Sequence, residues 1–188
     1  MPVKSNIENE IKVMINENQY GQLISKYKLK PKKQINRYYK NIYDETVRIR
    51  EYEDGHKVFA YKTRRNGKLY EYEVSDTEKD YDAKVEEIKK TFGLTNVQYI
   101  GNLITERAKI DLGFGEVCVD KNTYLGKVDY EIEHELYNAI VGNHYNFYTF
   151  LKENNIEFIE NKINKFTRFQ IELEKCTAVN VIHSHNVK

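Results

Sequence analysis

The chain contains 188 residues, with a formal net charge of +1 and 40% hydrophobic residues. This length favours one domain with a substantial core, and the near-neutral charge argues against a nucleic-acid-binding protein, which normally carries a strongly basic surface. No apolar run approaches the roughly 18 residues of a membrane-spanning helix, and the first residues lack the apolar segment of a signal peptide. Cys118 and Cys176 show neither metal-ligand spacing nor a disulfide pattern. The sequence therefore predicts a reduced, cytoplasmic protein with no membrane partner.

The first predicted strand covers residues 7–13 and alternates charged with aliphatic residues. A period of two places Glu8, Glu10 and Lys12 on one face of a strand and aliphatic side chains on the other. One such segment alone is typical of a half-exposed strand with a solvated face. The pattern recurs, however, with like charges two positions apart at Arg48 and Arg50, at Glu71 and Glu73, and at Glu131 and Glu133. Strands that each carry one sign of charge favour faces turned toward one another around a charged ligand.

The remaining elements follow from hydrophobic periodicity and turn residues. The pairs Asp54-Gly55 and Asn66-Gly67 lie between alternating segments and predict hairpin turns, because these residues tolerate positive φ. Thr77 is the predicted N-cap of a helix that ends at Gly93. The predicted strands cover residues 7–13, 34–43, 46–51, 57–64, 68–75, 97–111, 116–120 and 128–135, and the predicted helices cover residues 20–27, 77–93, 136–152 and 161–173.

About eight strands, each with one apolar and one charged face, predict an α+β fold. The economical arrangement packs helices outside on the apolar faces, so that the charged faces line a closed antiparallel β-barrel with a polar tunnel. Residues 26–65 contain 13 basic and 5 acidic residues, whereas residues 66–160 contain 10 and 19, which suits a cavity with one basic and one acidic wall. Residues 1–188 are predicted to form one domain, with a core of about 5–173 and a mobile tail at 174–188 that contains His183 and His185.

The ordered set of charged motifs resembles the CYTH superfamily of triphosphate tunnel metalloenzymes, which includes thiamine triphosphatases, inorganic triphosphatases and class IV adenylyl cyclases. The residues that carry the resemblance are Glu8-x-Glu10-x-Lys12, Arg48-x-Arg50, Lys62, Glu71-x-Glu73, Arg107, Asp120 and Glu131-x-Glu133. Residues 160–169 look most similar to the small single-domain branch of Gram-positive bacteria. The chain departs from the family at Tyr38-Tyr39-Lys40-Asn41, where Lys40 replaces the usual acid. Substrate specificity is therefore not carried over from this segment.

The resemblance implies a tunnel that holds a linear triphosphate together with Mg²⁺ or Mn²⁺. Carboxylates without Cys or His partners also suit these hard cations, which prefer oxygen ligands. The implied metal ligands are Glu8, Glu10, Glu131 and Glu133, with Asp120 as a further ligand or an orienting residue, and Glu71 and Glu73 either position a second metal or pair with the basic wall. The implied phosphate-binding residues are Lys12, Arg48, Arg50, Lys62, Arg107 and Lys162, of which Lys12, Arg48 and Arg50 are assigned to catalysis by stabilising the leaving phosphate.

Three functions remain open on the sequence alone. The first is a metal-dependent triphosphatase acting on inorganic, nucleoside or thiamine triphosphate, and the second is a class IV adenylyl cyclase that forms cyclic AMP and pyrophosphate. The third is a non-catalytic module that binds polyphosphate or nucleotide. In each case the partner is a small-molecule triphosphate, and the oligomeric state, including a homodimer, stays open. Cys118 is predicted to point inward with Asp120, and no role is assigned to His134 or His144.

Overall fold

The computed structural model describes residues 4–7, 10–41, 43, 45–65, 68–76, 80–113, 115–137 and 144–185. Within these ranges the chain forms nine strands and four helices. The strands are β1 (Lys4–Ile7), β2 (Glu10–Ile15), β3 (Lys32–Lys40), β4 (Thr46–Tyr52), β5 (Lys57–Arg65), β6 (Lys68–Asp76), β7 (Gln98–Asp111), β8 (Gly115–Tyr124) and β9 (Lys127–Leu136). The helices are α1 (Glu17–Lys26), α2 (Tyr81–Phe92), α3 (Tyr145–Glu153) and α4 (Lys165–His185).

All nine strands belong to one antiparallel sheet in the order β1-β6-β5-β4-β3-β7-β8-β9-β2. The predicted α+β class with an antiparallel sheet is confirmed, but the first predicted strand was wrong as a single element. It consists of β1, which pairs with β6, and β2, which pairs with β9. The chain divides because these two short strands occupy opposite edges of the sheet.

The two edge strands lie close together at one corner of the sheet. Ile7 ends β1 and Glu10 begins β2, and three peptide units span at most about 11 Å. The sheet must therefore curl until its edges approach. No hydrogen-bonded pairing joins β1 to β2 among the described residues, so closure into a barrel stays a prediction. On the edge of β2 that does not pair with β9, Val13 forms a bridge with Glu160, and the Asn161 amide donates to the Lys12 carbonyl at 2.8 Å.

Three helices cover the apolar outer face of the sheet, as the alternating pattern predicts. Odd-numbered residues of β2 and β8 and even-numbered residues of β9 form one core with α1 and α3, and β3 to β5 form a second core with α2. The first core includes Val13, Ile15, Leu23, Val117, Val119, Ile132, Phe147, Phe150 and Leu151. The second includes Tyr39, Val47, Ile49, Phe59, Tyr61, Val85 and Ile88. Burial of these aliphatic and aromatic side chains is the main stabilising contribution to the fold.

Helix boundaries follow local capping groups. Asn16 and Gln19 form a reciprocal capping box at the start of α1. Asp80, rather than the predicted Thr77, caps α2, because its carboxylate accepts hydrogen bonds from the amides of Asp82 and Ala83; Thr77 itself lies outside the described residues. Gly93 ends this helix at φ 67°, as expected. The predicted helix at 136–152 was too long, since β9 continues to Leu136 and α3 begins only at Tyr145.

Helix α4 differs from the other three because its first turns pack against the inner, polar face of the sheet. Phe166, Phe169 and Leu173 contact a cluster on the sheet formed by Tyr38, Leu103 and Tyr124. The prediction that all helices lie outside was therefore wrong for α4. The expected mobile tail was also wrong for residues 174–185, which continue the helix and include His183 and His185. None of the described helices is long and apolar enough to cross a membrane.

Candidate active site

Three buried carboxylates converge on the inner face of β8 and β9. Asp120 and Glu131 are directly opposite each other in the antiparallel register, and Glu133 follows two positions along the same face. Asp120 and Glu131 are 0% exposed and Glu133 is 4% exposed. One oxygen from each lies within 4.8 Å of the others. Such burial of like charges is tolerated only when cations pair with them.

Lys165, at the start of α4, provides one of these cations. Its Nζ lies 2.8 Å from Asp120 Oδ2, 2.9 Å from Glu131 Oε1 and 2.7 Å from Glu133 Oε1. Sequence reasoning missed this residue and chose Lys162, which is exposed and forms no recorded ion pair within the described part of the chain. Lys162 lies in the connection before α4, whereas Lys165 belongs to its first turn. The 3-4 spacing of Lys165, Arg168 and Phe169 on one helix face was the available signal.

Arg107, one of the implied phosphate-binding residues, provides the second buried cation. It lies opposite Asp120 on β7, and its Nε and Nη2 bind Asp120 Oδ1 and Oδ2 at 2.8 and 2.7 Å. The same guanidinium contacts Glu133 and, at 3.1 Å, Glu135. A guanidinium fork matches a carboxylate in this two-point geometry. Arg107 therefore fixes the orientation of Asp120.

A further group of side chains holds Glu131 in place. Arg168 donates to Asp129 and Glu131, both at 2.9 Å. Asn122, fully buried, donates to the same two carboxylates at 3.0 Å, and its Oδ1 accepts a hydrogen bond from Thr105 at 2.8 Å. Neither Arg168 nor Asn122 was among the sequence-predicted site residues. Asn122 is uncharged and lies opposite Asp129 in the β8–β9 register, whereas Arg168 reaches the same acids because α4 packs on the sheet.

The N-terminal motif reaches the same cluster through β2. Lys12 is 7% exposed and pairs with Glu10, and its Nζ lies 3.5 Å from Glu133 Oε1. Glu10, Glu133 and Glu135 form a second group with oxygens within 4.8 Å of one another. The two carboxylate groups share Glu133. Glu8, the other acid of this motif, lies outside the described residues.

The predicted basic residues of β4 lie on the inner face, away from these carboxylates. Arg48 is 8% exposed and its Nη2 is 3.2 Å from Glu73 Oε1, which matches the cross-sheet pairing considered for the ligand-free protein. Arg50 donates instead to Asn36 Oδ1 at 2.9 Å. The backbone places Lys62 opposite Glu71 in the β5–β6 register. The side chains of Lys62 and Glu71 are outside the described part of the structure.

Electrostatics keep Glu133 and Asp120 ionised. Burial would raise the pKa of Glu133, but the charges of Lys165, Arg107 and Lys12 hold it well below its ordinary value. Burial likewise opposes ionisation of Asp120, and Arg107 and Lys165 still lower its pKa. The connected network contains six carboxylates and four cationic side chains, namely Glu10, Asp120, Asp129, Glu131, Glu133 and Glu135 with Lys12, Arg107, Lys165 and Arg168. Among the described residues, these ten groups have a formal charge of −2.

Cys118 lies beside this network but carries no activated thiolate. It is fully buried on the inner face, as predicted, with Sγ 3.8 Å from Glu135 Oε1. Burial raises the pKa of the thiol well above its usual value, even though Arg107 opposes the shift. A neutral thiol is a poor nucleophile and a poor metal ligand. The site therefore offers oxygen ligands for a hard cation.

The sequence profile of the CYTH domain matches residues 6–167, which is most of the chain. The protein belongs to the CYTH family. CYTH enzymes are metal-dependent and act on small triphosphate substrates. None of the curated proteins matches the chain in a sequence search.

Solved structures of similar fold include a candidate adenylate cyclase from Bacillus halodurans, which is 26% identical to this CYTH protein. Its TM-score is 0.73, and the match covers 88% of this chain and 98% of that chain. A candidate adenylyl cyclase from Hippeastrum, described as having a dominant triphosphatase activity, is 18% identical with a TM-score of 0.67 over 87% of this chain and 95% of its own. The PH1819 protein from Pyrococcus horikoshii is 20% identical with a TM-score of 0.60 over 92% and 99%. At these last two identities the likeness concerns the fold alone.

The residues of this CYTH domain fit a divalent metal. Asp120, Glu131 and Glu133 supply carboxylate oxygens only, which suits Mg²⁺ or Mn²⁺ better than a thiol- or imidazole-preferring metal. Arg107 and Arg168 orient the carboxylates from outside this group, as partners of metal ligands commonly do. The buried negative charge and the oxygen donor set therefore agree on a hard cation.

Proposed function

We propose that the protein is a divalent-metal-dependent triphosphatase that hydrolyses inorganic, nucleoside or thiamine triphosphate and releases phosphate. The observation that carries this proposal is the convergence of three buried carboxylates and three cations, Lys12, Arg107 and Lys165, on one inner face. A binding surface for a neutral ligand would not retain so many buried charges, because each costs several kcal/mol to desolvate. The dominant triphosphatase activity of the Hippeastrum protein supports the same reaction.

In this proposal Asp120, Glu131 and Glu133 hold the cation, with Glu8 and Glu10 as ligands from the N-terminal motif. Such a cation, Mg²⁺ or Mn²⁺, supplies Lewis acidity and neutralises charge on the phosphates. Glu71 and Glu73 position a second cation or pair with the arginines of β4. The sheet closes between β1 and β2, so that the inner face becomes a tunnel. Residues 1–188 then act as one catalytic domain.

The basic side chains bind the phosphates. Arg48, Arg50 and Arg107 present forks that match two phosphate oxygens, and Lys12 and Lys62 act as point charges. Lys12, Arg48 and Arg50 stabilise the charge that develops on the leaving phosphate, which is the main task in phosphoryl transfer. Lys165 takes the place that the sequence assigned to Lys162. No side chain is required to form a covalent intermediate.

A substrate panel tests this function directly. The protein is incubated with inorganic triphosphate, ATP or thiamine triphosphate and with Mg²⁺ or Mn²⁺, and the products are separated. Release of phosphate is expected. Adenylyl cyclase is the second candidate function, because the Bacillus halodurans relative is named as a candidate adenylate cyclase. Formation of pyrophosphate and cyclic AMP from ATP would establish it. Binding without turnover would replace both with a non-catalytic module.

A matched pair of substitutions links the activity to the site. Glu133→Gln removes a charged oxygen ligand while preserving shape, so kcat should fall by about 100-fold or more. Glu106→Gln makes the same change on β7, where Glu106 pairs with half-buried Lys121, and should leave kcat within about twofold. Circular dichroism confirms that both variants are folded. Equal kcat values in the two variants would show that Glu133 takes no part in catalysis.

A further inference from the structure

We propose that the ammonium group of Lys165 and the divalent cation compete for the same three carboxylate oxygens, so that metal loading requires Lys165 to leave. This rests on the proposed metal site and concerns how that site is regulated. The Nζ of Lys165 lies 2.7–2.9 Å from one oxygen of each of Asp120, Glu131 and Glu133. It thus stands where a single cation would be equidistant from the three.

Arg107 and Arg168 reach both oxygens of Asp120 and Glu131, including the ones that face Lys165. Arg107 binds Asp120 Oδ1 and Glu133 Oε2, and Arg168 binds Glu131 Oε2. The three oxygens that face Lys165 converge on a common point, because each lies within 2.9 Å of its Nζ. A metal that uses all three acids must therefore take the oxygens that Lys165 holds.

The two occupants exclude each other physically. Mg²⁺ binds oxygen at about 2.0–2.1 Å, so a metal bound to the three oxygens would lie almost at the position of the ammonium nitrogen. Two positive charges at that distance also repel strongly in a buried site. Simultaneous occupancy is excluded on both counts.

Lys165 is the cation best able to leave. Arg107 extends from the middle of β7, bound to three carboxylates, and Arg168 is bound to two. Lys165 is the first residue of α4 and has a flexible four-carbon stem that carries a point charge. The side chain can swing away while Arg168 and the aromatic residues Phe166 and Phe169 keep the helix seated. Lys165 thus neutralises the acids when metal is scarce and lowers their apparent affinity for it.

Metal affinity without substrate is the first test. Lys165→Met keeps much of the stem volume and removes the charge, so the variant should bind Mn²⁺ at least about tenfold more tightly than the wild type, as measured by the electron paramagnetic resonance signal of free Mn²⁺. Lys162→Met is the matched control, because Lys162 is exposed three positions earlier, and its affinity should equal that of the wild type. Unchanged or weaker Mn²⁺ binding by a folded Lys165→Met variant overturns the competition.

The wild-type chain provides a second test that does not depend on the variant folding. Amine acetylation followed by mass spectrometry reports the accessibility of each lysine. The Lys165 side chain is 13% exposed and bound to three acids, so it should react slowly without metal and several-fold faster with Mg²⁺, while the 61% exposed Lys175 should not change. A Lys165 rate that Mg²⁺ leaves unchanged or lowers contradicts the proposal. Triphosphate hydrolysis is measured in a separate assay. Hydrolysis without competition between Lys165 and the metal would overturn only this inference. Competition without hydrolysis would overturn only the proposed function.

Discussion

His134 is a buried titratable side chain on the face of β9 opposite to the carboxylates. Its ring is 1% exposed, stacks on Phe147 at 5.2 Å between centroids, and contacts His144 through the two Nδ1 atoms at 2.8 Å. The buried Nε2 has no hydrogen-bond partner among the described residues. Burial, together with the neighbouring His144, lowers the pKa of His134 to about 4. The ring therefore stays neutral in the folded protein at mildly acidic pH.

This shift predicts a loss of stability in acid. The unfolded state binds a proton near the ordinary histidine pKa of about 6.5, whereas the folded state binds it only near 4. The neutral ring thus contributes stability above pH 6.5 that is lost as the pH falls through 4, by about 3 kcal/mol in the free energy of unfolding. Urea unfolding at several pH values measures the slope. Between pH 6.5 and 4, the free energy of unfolding of the His134→Leu variant should depend less on pH than that of the wild type. An identical slope in the two proteins would contradict the assignment of this effect to His134.

Single residues also show where sequence reasoning succeeds. Strand periodicity places Glu10 with Lys12 and Glu131 with Glu133, and the resemblance to the CYTH superfamily adds Arg107 and Asp120. The structure gathers all six. Lys165 could not be found this way, because it approaches from a helix whose docking depends on tertiary contacts with Tyr38 and Leu103. His134 was left without a role because its partner, His144, lies ten positions away at the start of α3. The alternation of side chains along a strand shows which face each residue lies on, but not which residues of other elements it contacts.

At the level of elements, α4 is seated through a glycine of β7. Gly101 has φ 138°, a conformation rare for other residues, at the place where the β3–β7 register shifts. A Cβ added there would lie 2.7 Å from Cζ of Phe169. Phe169 in turn packs on Tyr38 and Tyr124. The absence of a side chain at Gly101 is therefore what lets α4 approach the inner face.

Gly101→Ala should displace α4. The strained backbone and the overlap with Phe169 together predict a loss of about 2–4 kcal/mol in the free energy of unfolding. Gly21→Ala is the matched control, because Gly21 lies in α1 with nothing within 4 Å of an added Cβ, and alanine there should stabilise the helix by about 0.5–1 kcal/mol. Chemical unfolding measures both changes. A Gly101→Ala protein as stable as the wild type would mean that α4 does not depend on this contact.

The elements that the sequence failed to predict share one physical cause. Alternation identifies a strand but not the neighbour with which it pairs, so the division of the first strand into β1 and β2 could not be seen. Helical periodicity in residues 165–169 likewise identifies an amphipathic helix without saying which face of the sheet it covers. On the inner face, Lys165 and Arg168 pair with the acids, while Phe166 and Phe169 pack on the sheet. Both placements depend on tertiary contacts, which the local periodicity does not encode.

For the molecule as a whole, the uneven charge along the chain follows from the strand order. Residues 26–65 include the basic strands β3 to β5, and residues 66–160 include β7 to β9 with their carboxylates. Because β3 is adjacent to β7, the sheet changes from basic to acidic strands at that boundary, and a second change lies where β5 meets β6, which carries Glu71 and Glu73. The acidic part, with α4 docked on it, still has a formal charge of −2 over its ten paired groups. Among the described residues, the carboxylates of this cluster thus outnumber its cations, and the excess is larger when Lys165 leaves.

This residual charge predicts that divalent metal stabilises the whole fold. A ligand present at about 100 times its Kd, and bound only by the native state, adds roughly 2.7 kcal/mol to the free energy of unfolding. For a chain of this size that corresponds to a rise of about 5–10 °C in Tm. Mn²⁺ or Mg²⁺ should produce this shift in a thermal melt, and a chelator should reverse it. Glu133→Gln should lose most of the shift and Glu106→Gln should keep it, because only Glu133 belongs to both carboxylate groups. An equal shift in the two variants would place the stabilising metal somewhere other than the inner face.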